Sequence, residues 1–279
     1  MLGYVCKYTP MELFEAMDTE ITRLEPSVTD FNHADTLMHA NICSYTKAVL
    51  EDVMEHDYEG VILTTCCDSI RRLYDTLKSQ FPDKFFFLLD IPRKFNDFAV
   101  TLYERQLKQM LTEYEAFSGK TLDLKRFVSM MQNKAALKKQ ENTRMSSSAV
   151  SEKGNGQKLN IGIMGARCNN EIRQLLVDRG ANLLFDLTCT GLARDFSITE
   201  DQVLHSYAAA LLNQIPCMRM LKAANREHFL DGFTDRLDGI IYHTVKFCDS
   251  YSYEYADFRQ RLDLQILLVD TDSTRQCAG

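Results

Sequence analysis

The sequence predicts an α/β protein made of two Rossmann-like parallel-sheet domains with a helical insertion between them. Three observations carry that expectation. Short apolar runs rich in β-branched and aromatic residues recur along the chain, as strands buried on both faces of a parallel sheet do. Amphipathic stretches of helical period separate them. The alternation is interrupted once, by a long helical section and a polar stretch, and then resumes.

Each element has its own warrant. Leu2 to Val5 reads as the first strand. Thr9-Pro10-Met11-Glu12 then has the form of a capping box with proline at the first helical position. A helical stretch covers Tyr45 to Met54, and Gly60 to Thr64 is the next apolar run. Asp68 to Ser79 follows as a helix with Ile70, Leu73, Tyr74 and Leu77 on one face. Lys84 to Leu89 completes the strands of the first half. Asp97 to Gly119 and Leu122 to Lys139 read as two long helices. Gln140 to Lys158 is polar, holds Ser146, Ser147 and Ser148, and ends in Gly154-Asn155-Gly156-Gln157-Lys158, so it predicts a mobile connector. Strands return at Leu159 to Met164, Asn182 to Leu187, Gly239 to Val245 and Leu264 to Asp270. Between the first two, Asn169 to Gly180 places Ile172, Leu175 and Leu176 on one helical face. The expected organisation is a first α/β domain over 1–100, a helical section and flexible linker over 101–157, and a second α/β domain over 158–279. One sheet with a long insertion is the alternative.

Bulk properties narrow the function. The chain has 279 residues, 45% hydrophobic and 25% charged, as a globular protein with real cores does. A formal charge of −7 argues against a nucleic-acid partner, which needs a clustered basic surface. No apolar run reaches membrane-spanning length, and Met1 to Cys6 lacks the basic stretch and apolar core of a signal peptide. The expected location is cytoplasmic. Reduced cysteines are therefore expected, and there are nine of them.

Their placement is the most informative feature of the sequence. Cys6 follows the first strand, Cys66 and Cys67 follow the strand ending at Thr64, and Cys43 precedes a helix. Cys248 comes just after the strand ending at Val245, and Cys277 shortly after the one ending at Asp270. In open parallel sheets the carboxyl ends of strands gather along one edge, where ligands bind. Helix N-termini at that edge present free N–H groups and a partial positive charge that lower thiol pKa. Thiolates converging there can hold iron. Cys168, Cys189 and Cys217 read as buried core fillers, although Cys168 and Cys189 also lie near strand ends. A structural zinc site competes with this reading, but no C-x-x-C pair occurs. An ordinary thiol enzyme finds no local nucleophile signature. His243 reads as a core histidine, and Tyr251 and Tyr253 as packing or substrate contacts.

Seven segments resemble one family in order: Gly3-Tyr4-Val5-Cys6 with Thr9-Pro10-Met11-Glu12-Leu13; Asn41-Ile42-Cys43-Ser44-Tyr45-Thr46-Lys47; Thr64-Thr65-Cys66-Cys67-Asp68-Ser69 through Arg71 to Asp75; Leu88-Leu89-Asp90-Ile91-Pro92-Arg93; Asp186-Leu187-Thr188-Cys189-Thr190-Gly191; His243-Thr244-Val245-Lys246-Phe247-Cys248-Asp249; and Asp270-Thr271-Asp272. The family is the D-component of 2-hydroxyglutaryl-CoA dehydratase and its relatives, benzoyl-CoA reductase subunits among them. The resemblance implies an iron–sulfur cluster, either a single [4Fe-4S] cubane or a double cubane. For the single cubane it implies Cys43, Cys67 and Cys248 as ligands. The additional Cys6, Cys66 and Cys277 make the chain most similar to the double-cubane cluster proteins of the family, with Cys168 or Cys189 as substitutes for one member. It further implies low-potential electrons from an ATP-hydrolysing iron–sulfur activator, and a homodimer or a sister subunit. The substrate would be a small molecule or an acyl-CoA, and the setting anaerobic. The alternatives are a single-cubane 2-hydroxyacyl-CoA dehydratase subunit and a non-catalytic zinc-binding or scaffold paralogue. The family usually continues with a terminal helix after the segment corresponding to Gln276 to Gly279, so a missing C-terminal helix is also expected. No phosphate-loop motif is present, which places ATP hydrolysis on a partner.

Overall fold

The structure, a computed structural model, describes residues 1–148, 158–168, 170–189, 198–220 and 224–272. In chain order the elements of the first half are β1 (Leu2–Tyr4), α1 (Met11–Ala16), β2 (Ile21–Arg23), α2 (Asn32–Leu37), α3 (Ser44–Glu55), β3 (Gly60–Thr64), α4 (Asp68–Gln80) and β4 (Phe85–Leu89). Two long helices follow, α5 (Asp97–Ser118) and α6 (Leu124–Ser148). The second half has β5 (Asn160–Gly165), α7 (Asn170–Asp178), β6 (Asn182–Thr188), α8 (Val203–Leu212), α9 (Ala224–Asp231), β7 (Gly239–Val245), α10 (Asp249–Arg261) and β8 (Ile266–Thr271).

Two four-stranded sheets result, ordered β2-β1-β3-β4 and β6-β5-β7-β8, with every pairing parallel. The α/β architecture with two Rossmann-like sheets is thus observed, and both sheets wind the same way. In each, the chain leaves the first strand to one side and returns on the other. That reversal opens a crevice at the carboxyl ends of β1 and β3, and another at those of β5 and β7.

The apolar runs form strands because both faces of the first sheet are covered. Ile62, Phe85 and Phe87 meet Val100, Tyr103, Leu107 and Tyr114 of α5 on one face. Val61, Leu63 and Phe86 meet Val49, Leu50 and Val53 of α3 and Leu73 and Leu77 of α4 on the other. The helix α5 is framed by its own signals. The Asn96 side chain accepts from the Ala99 amide at 2.8 Å, and Gly119 ends the helix in the left-handed region at φ 71°. The second core gathers Met164, Phe185, Leu187, Ile240 and Tyr242 with Leu230 and Phe258.

Several local expectations differ from the outcome. Strand β2 has no apolar run and is an edge strand of three residues. The expected capping box is not formed: Pro10 is the N-cap of α1 instead of its first helical residue and has no side-chain acceptor, while Glu12 is buried and accepts a hydrogen bond from Tyr207 Oη at 2.5 Å. The helix α6 runs through Gln140 to Ser148 instead of ending at Lys139. No proline or glycine interrupts it there, and the residues are acceptable helix formers. On α7, Leu175 is 54% exposed, so the expected apolar face is only partly buried. No helix among the described residues is long and apolar enough to cross a membrane.

The two sheets share side chains. Helix α8 from the second half packs Tyr207, Ala208, Leu211 and Leu212 into the first core beside α5 and α6. In return Cys43 and Tyr45, from the start of α3, pack into the second core. The backbone follows suit, with Ser44 N–H donating to Lys246 O at 3.2 Å.

Candidate thiol-lined centre

Between the carboxyl edges of the two sheets lies a cavity of about 130 Å³, room for several waters. Its wall is overwhelmingly apolar apart from sulfur and three cations. Seven thiols line it: Cys6, Cys43, Cys66, Cys67, Cys189, Cys217 and Cys248. All come from positions that the topology brings to this edge. Cys6 follows β1 and Cys66 and Cys67 follow β3, so they flank the crevice of the first sheet. Cys248 follows β7 and Cys189 follows β6 in the second. Cys217 sits in the segment after α8.

Three of the thiols occupy N-cap positions: Cys43 for α3, Cys67 for α4 and Cys248 for α10. Their environment differs accordingly. The Cys43 thiol is lowered to about 7, first by a hydrogen bond from Cys248 and then by the amides of Thr46 and Tyr45 in the opening turn of α3. Cys248, the other member of that pair, is pushed up. A second pair, Cys66 with Cys67, splits the same way, Cys67 lowered and Cys66 raised, each by its hydrogen bond to the other. Away from the helix starts burial dominates and pushes Cys6 and Cys189 each up to about 12. Burial therefore favours the neutral thiol at Cys6 and Cys189, whereas pairing favours thiolate at Cys43 and Cys67.

The cations tie the halves together around the thiols. Lys7 donates to Ile215 O across the cleft, and burial lowers its pKa. Arg167 follows β5 and donates to Leu24 O at 2.8 Å and to Val5 O, with its guanidinium 4.2 Å from the Tyr45 ring centroid. Gly165 makes that approach possible. It has φ 105°, and a Cβ there would run into His243 O. Arg219 Nη2 donates to Thr65 O at 2.5 Å, next to Cys66.

The residues present fit a thiolate-held cluster. Among the described residues the Tyr8 hydroxyl and Arg219 Nε, both buried on the wall, find no hydrogen-bond acceptor, which is costly unless an anionic centre supplies one. Sulfur donors outnumber every other ligand type, as soft metals require. Among the described residues no group of three His, Cys, Asp or Glu side chains is arranged around a single metal ion. A centre spread over several irons and sulfides reaches thiolates that one ion cannot.

Set against the sequence, five expected residues come together: Cys6, Cys43, Cys66, Cys67 and Cys248. Cys277 lies outside the described residues. Two thiols read as core fillers, Cys189 and Cys217, stand on the wall instead. For Cys189 the signal was its place just after a strand. For Cys217 no local signal existed, because only the docking of α8 on the first core brings it here. Cys168 is fully buried and does not line the cavity. Tyr251 does, its hydroxyl 2.6 Å from Cys189 Sγ, whereas Tyr253 is 78% exposed. His243 is buried in β7, 3.0 Å from Thr271 Oγ1.

Comparison with known proteins agrees with this arrangement. The family described as 2-hydroxyglutaryl-CoA dehydratase, D-component, matches residues 6–146 and 130–277. No curated protein matches the chain. Taken with the two parallel sheets and the cysteines at their facing edges, a match running nearly end to end places this chain in the 2-hydroxyglutaryl-CoA dehydratase D-component family.

Proposed function

We propose that this chain is an iron–sulfur reductase subunit that takes low-potential electrons from an ATP-hydrolysing activator and delivers them to a small substrate at a double-cubane cluster. The observation that carries the reading is the convergence of seven thiols on one buried cavity between two sheet edges. A single cubane of this family uses three, and six suit two sulfide-bridged cubanes. Cys6, Cys43, Cys66, Cys67 and Cys248 supply five thiolates, with Cys189, Cys217 or Cys277 for the sixth.

Bound there, a cluster supplies a store for single electrons at low potential. The chain's own residues do the rest. Cys43 and Cys67, each paired with a second thiol at the start of α3 and α4, favour thiolate. Lys7, Arg167 and Arg219 offset the negative charge that several thiolates bring. Tyr8 Oη and Arg219 Nε offer hydrogen bonds to sulfur, the means by which a protein tunes such a centre. The apolar wall disfavours water around the centre. The activator and a second subunit, a copy or a sister chain, complete the proposal.

Anaerobic purification followed by iron, sulfide and visible-spectrum analysis tests it. About eight irons per chain, falling on replacement of Cys6 or Cys66, supports the double cubane. About four irons, insensitive to Cys6 and Cys66 but lost with Cys43, Cys67 or Cys248, returns the chain to a single-cubane dehydratase subunit. Serine replacement of Cys189, Cys217 and Cys277 one at a time identifies the sixth ligand. Zinc, or no metal at all, sinks electron transfer.

A further inference from the structure

We infer that Arg226 is a positioning residue that holds Cys189 and Cys217 on the cavity wall. It does not line the cavity, and it is 1% exposed. Burying a guanidinium is costly unless its donors are all used in good geometry. Here Nη1 is spent on the two chain segments that carry these thiols, and Nη2 on a carboxylate. Nη1 donates to Leu187 O at 3.3 Å and to Pro216 O at 3.2 Å. Leu187 lies two residues before Cys189, and Pro216 immediately precedes Cys217.

The other edge of the guanidinium is fixed by Glu254 of α10. Nε and Nη2 lie 3.0 and 3.1 Å from its two carboxylate oxygens. Glu254 Oε2 also accepts from Tyr242 Oη at 2.5 Å. The same Tyr242 hydroxyl is 3.2 Å from Tyr251 O, and the Tyr251 hydroxyl meets Cys189 Sγ at 2.6 Å. Cys189 is thus held from both sides, through its own strand end and through Tyr251. The planar guanidinium of arginine suits this task, since Nη2 donates to the carboxylate while Nη1 reaches two carbonyls. A lysine ammonium keeps the charge but cannot reproduce the fork.

The placement of the two thiols stands on this geometry alone. Their use as cluster ligands rests on the proposed function, and the test separates the two. The full chain is stripped of iron under anaerobic conditions, pulsed with N-ethylmaleimide, and each cysteine peptide is quantified by mass spectrometry. Two variants break the clamp. Arg226→Met with Glu254→Met replaces the ion pair by apolar groups and leaves no buried charge behind. Arg226→Lys keeps the charge and is the fallback if the double variant does not fold. In either, Cys189 and Cys217 are expected to alkylate about tenfold faster than in the unaltered chain, the effect of losing two hydrogen bonds on local opening. Cys43 and Cys67, held at the starts of α3 and α4 in the same molecules, keep their rates. Tyr242→Phe removes the arm through Tyr251 and one hydrogen bond to Glu254 but leaves Arg226 its contacts to Leu187 O and Pro216 O, so Cys189 should loosen more than Cys217. The inference is overturned if all four thiols speed up together, or if none changes. Reconstitution with iron and sulfide is the second readout. A chain that takes up no iron in its unaltered form overturns the proposed function, while the alkylation pattern still decides the clamp. A chain that takes up iron should lose part of it, and change its visible spectrum, in the Arg226→Lys variant.

Discussion

Tyr207 of α8 joins the two halves, and its removal should separate them. Its ring is fully buried and stands edge-on to Phe127 of α6 at 5.1 Å between centroids. Its hydroxyl donates to Glu12 at 2.5 Å, a residue 195 positions away. Tyr207→Phe deletes one hydrogen bond to a buried carboxylate and should cost about 1.5–3 kcal/mol. Tyr207→Ala empties the ring site as well and should cost about 3–5 kcal/mol for the cavity and lost apolar area. Urea unfolding of the metal-free full chain, followed by circular dichroism, reads both. With a slope of about 3 kcal/mol per molar, a loss of about 2 kcal/mol moves the midpoint by about 0.7 M. Because α8 leads into the segment bearing Cys217 and Arg219, both variants should also lower iron retention. A shift below about 0.2 M for Tyr207→Phe together with one below about 0.7 M for Tyr207→Ala would refute the shared core.

Two further outcomes are expected. Burial pushes the Cys168 thiol up to about 12 from its ordinary 9.0, so the folded chain holds that proton more tightly than the unfolded one. The resulting stability is complete below the unfolded value of 9.0 and is lost as pH rises toward 12. The melting-temperature difference between the unaltered chain and Cys168→Ala should therefore shrink between about pH 8 and about pH 11, and a constant difference would contradict it. Gly165→Ala forces a side chain into the left-handed region at φ 105° and into the carbonyl of His243. The backbone cost alone is about 1–3 kcal/mol, and Arg167 should lose its contacts to Val5 O and Leu24 O. An unchanged melting curve would show that the turn after β5 is not constrained.

The strands show what was legible in the chain. Seven of them were marked by apolar runs; Gly60 to Thr64 and Gly239 to Val245 are buried on both faces and need no alternation, whereas the expected buried strand β8 leaves Leu267 and Leu268 exposed. β2 was not marked, since an edge strand of three residues buries too little to leave a pattern. The start of α5 was legible because Asn96 caps it with its own side chain. The start of α1 misled: Pro10 is its N-cap, and Glu12 serves a partner on α8 that no local reading can see.

The same division runs through the candidate site. Cysteine after strand, and cysteine before helix, are local facts, and in parallel sheets they are enough to send Cys6, Cys43, Cys66, Cys67 and Cys248 to the carboxyl edge of one sheet or the other. The sequence by itself therefore determined the fold class, the family resemblance and most of the thiol set. Only the tertiary structure decided that the two sheet edges face one another, that Cys189 and Cys217 stand on the shared wall, and that Cys168 does not. The physical reason is that these outcomes depend on contacts between residues far apart in the chain: α8 seated on the first core, Arg167 crossing to Leu24, and Arg226 gathering Leu187 and Pro216. Periodicity and capping encode what a residue does within its own element, and carry no record of which distant carbonyl or ring it will meet.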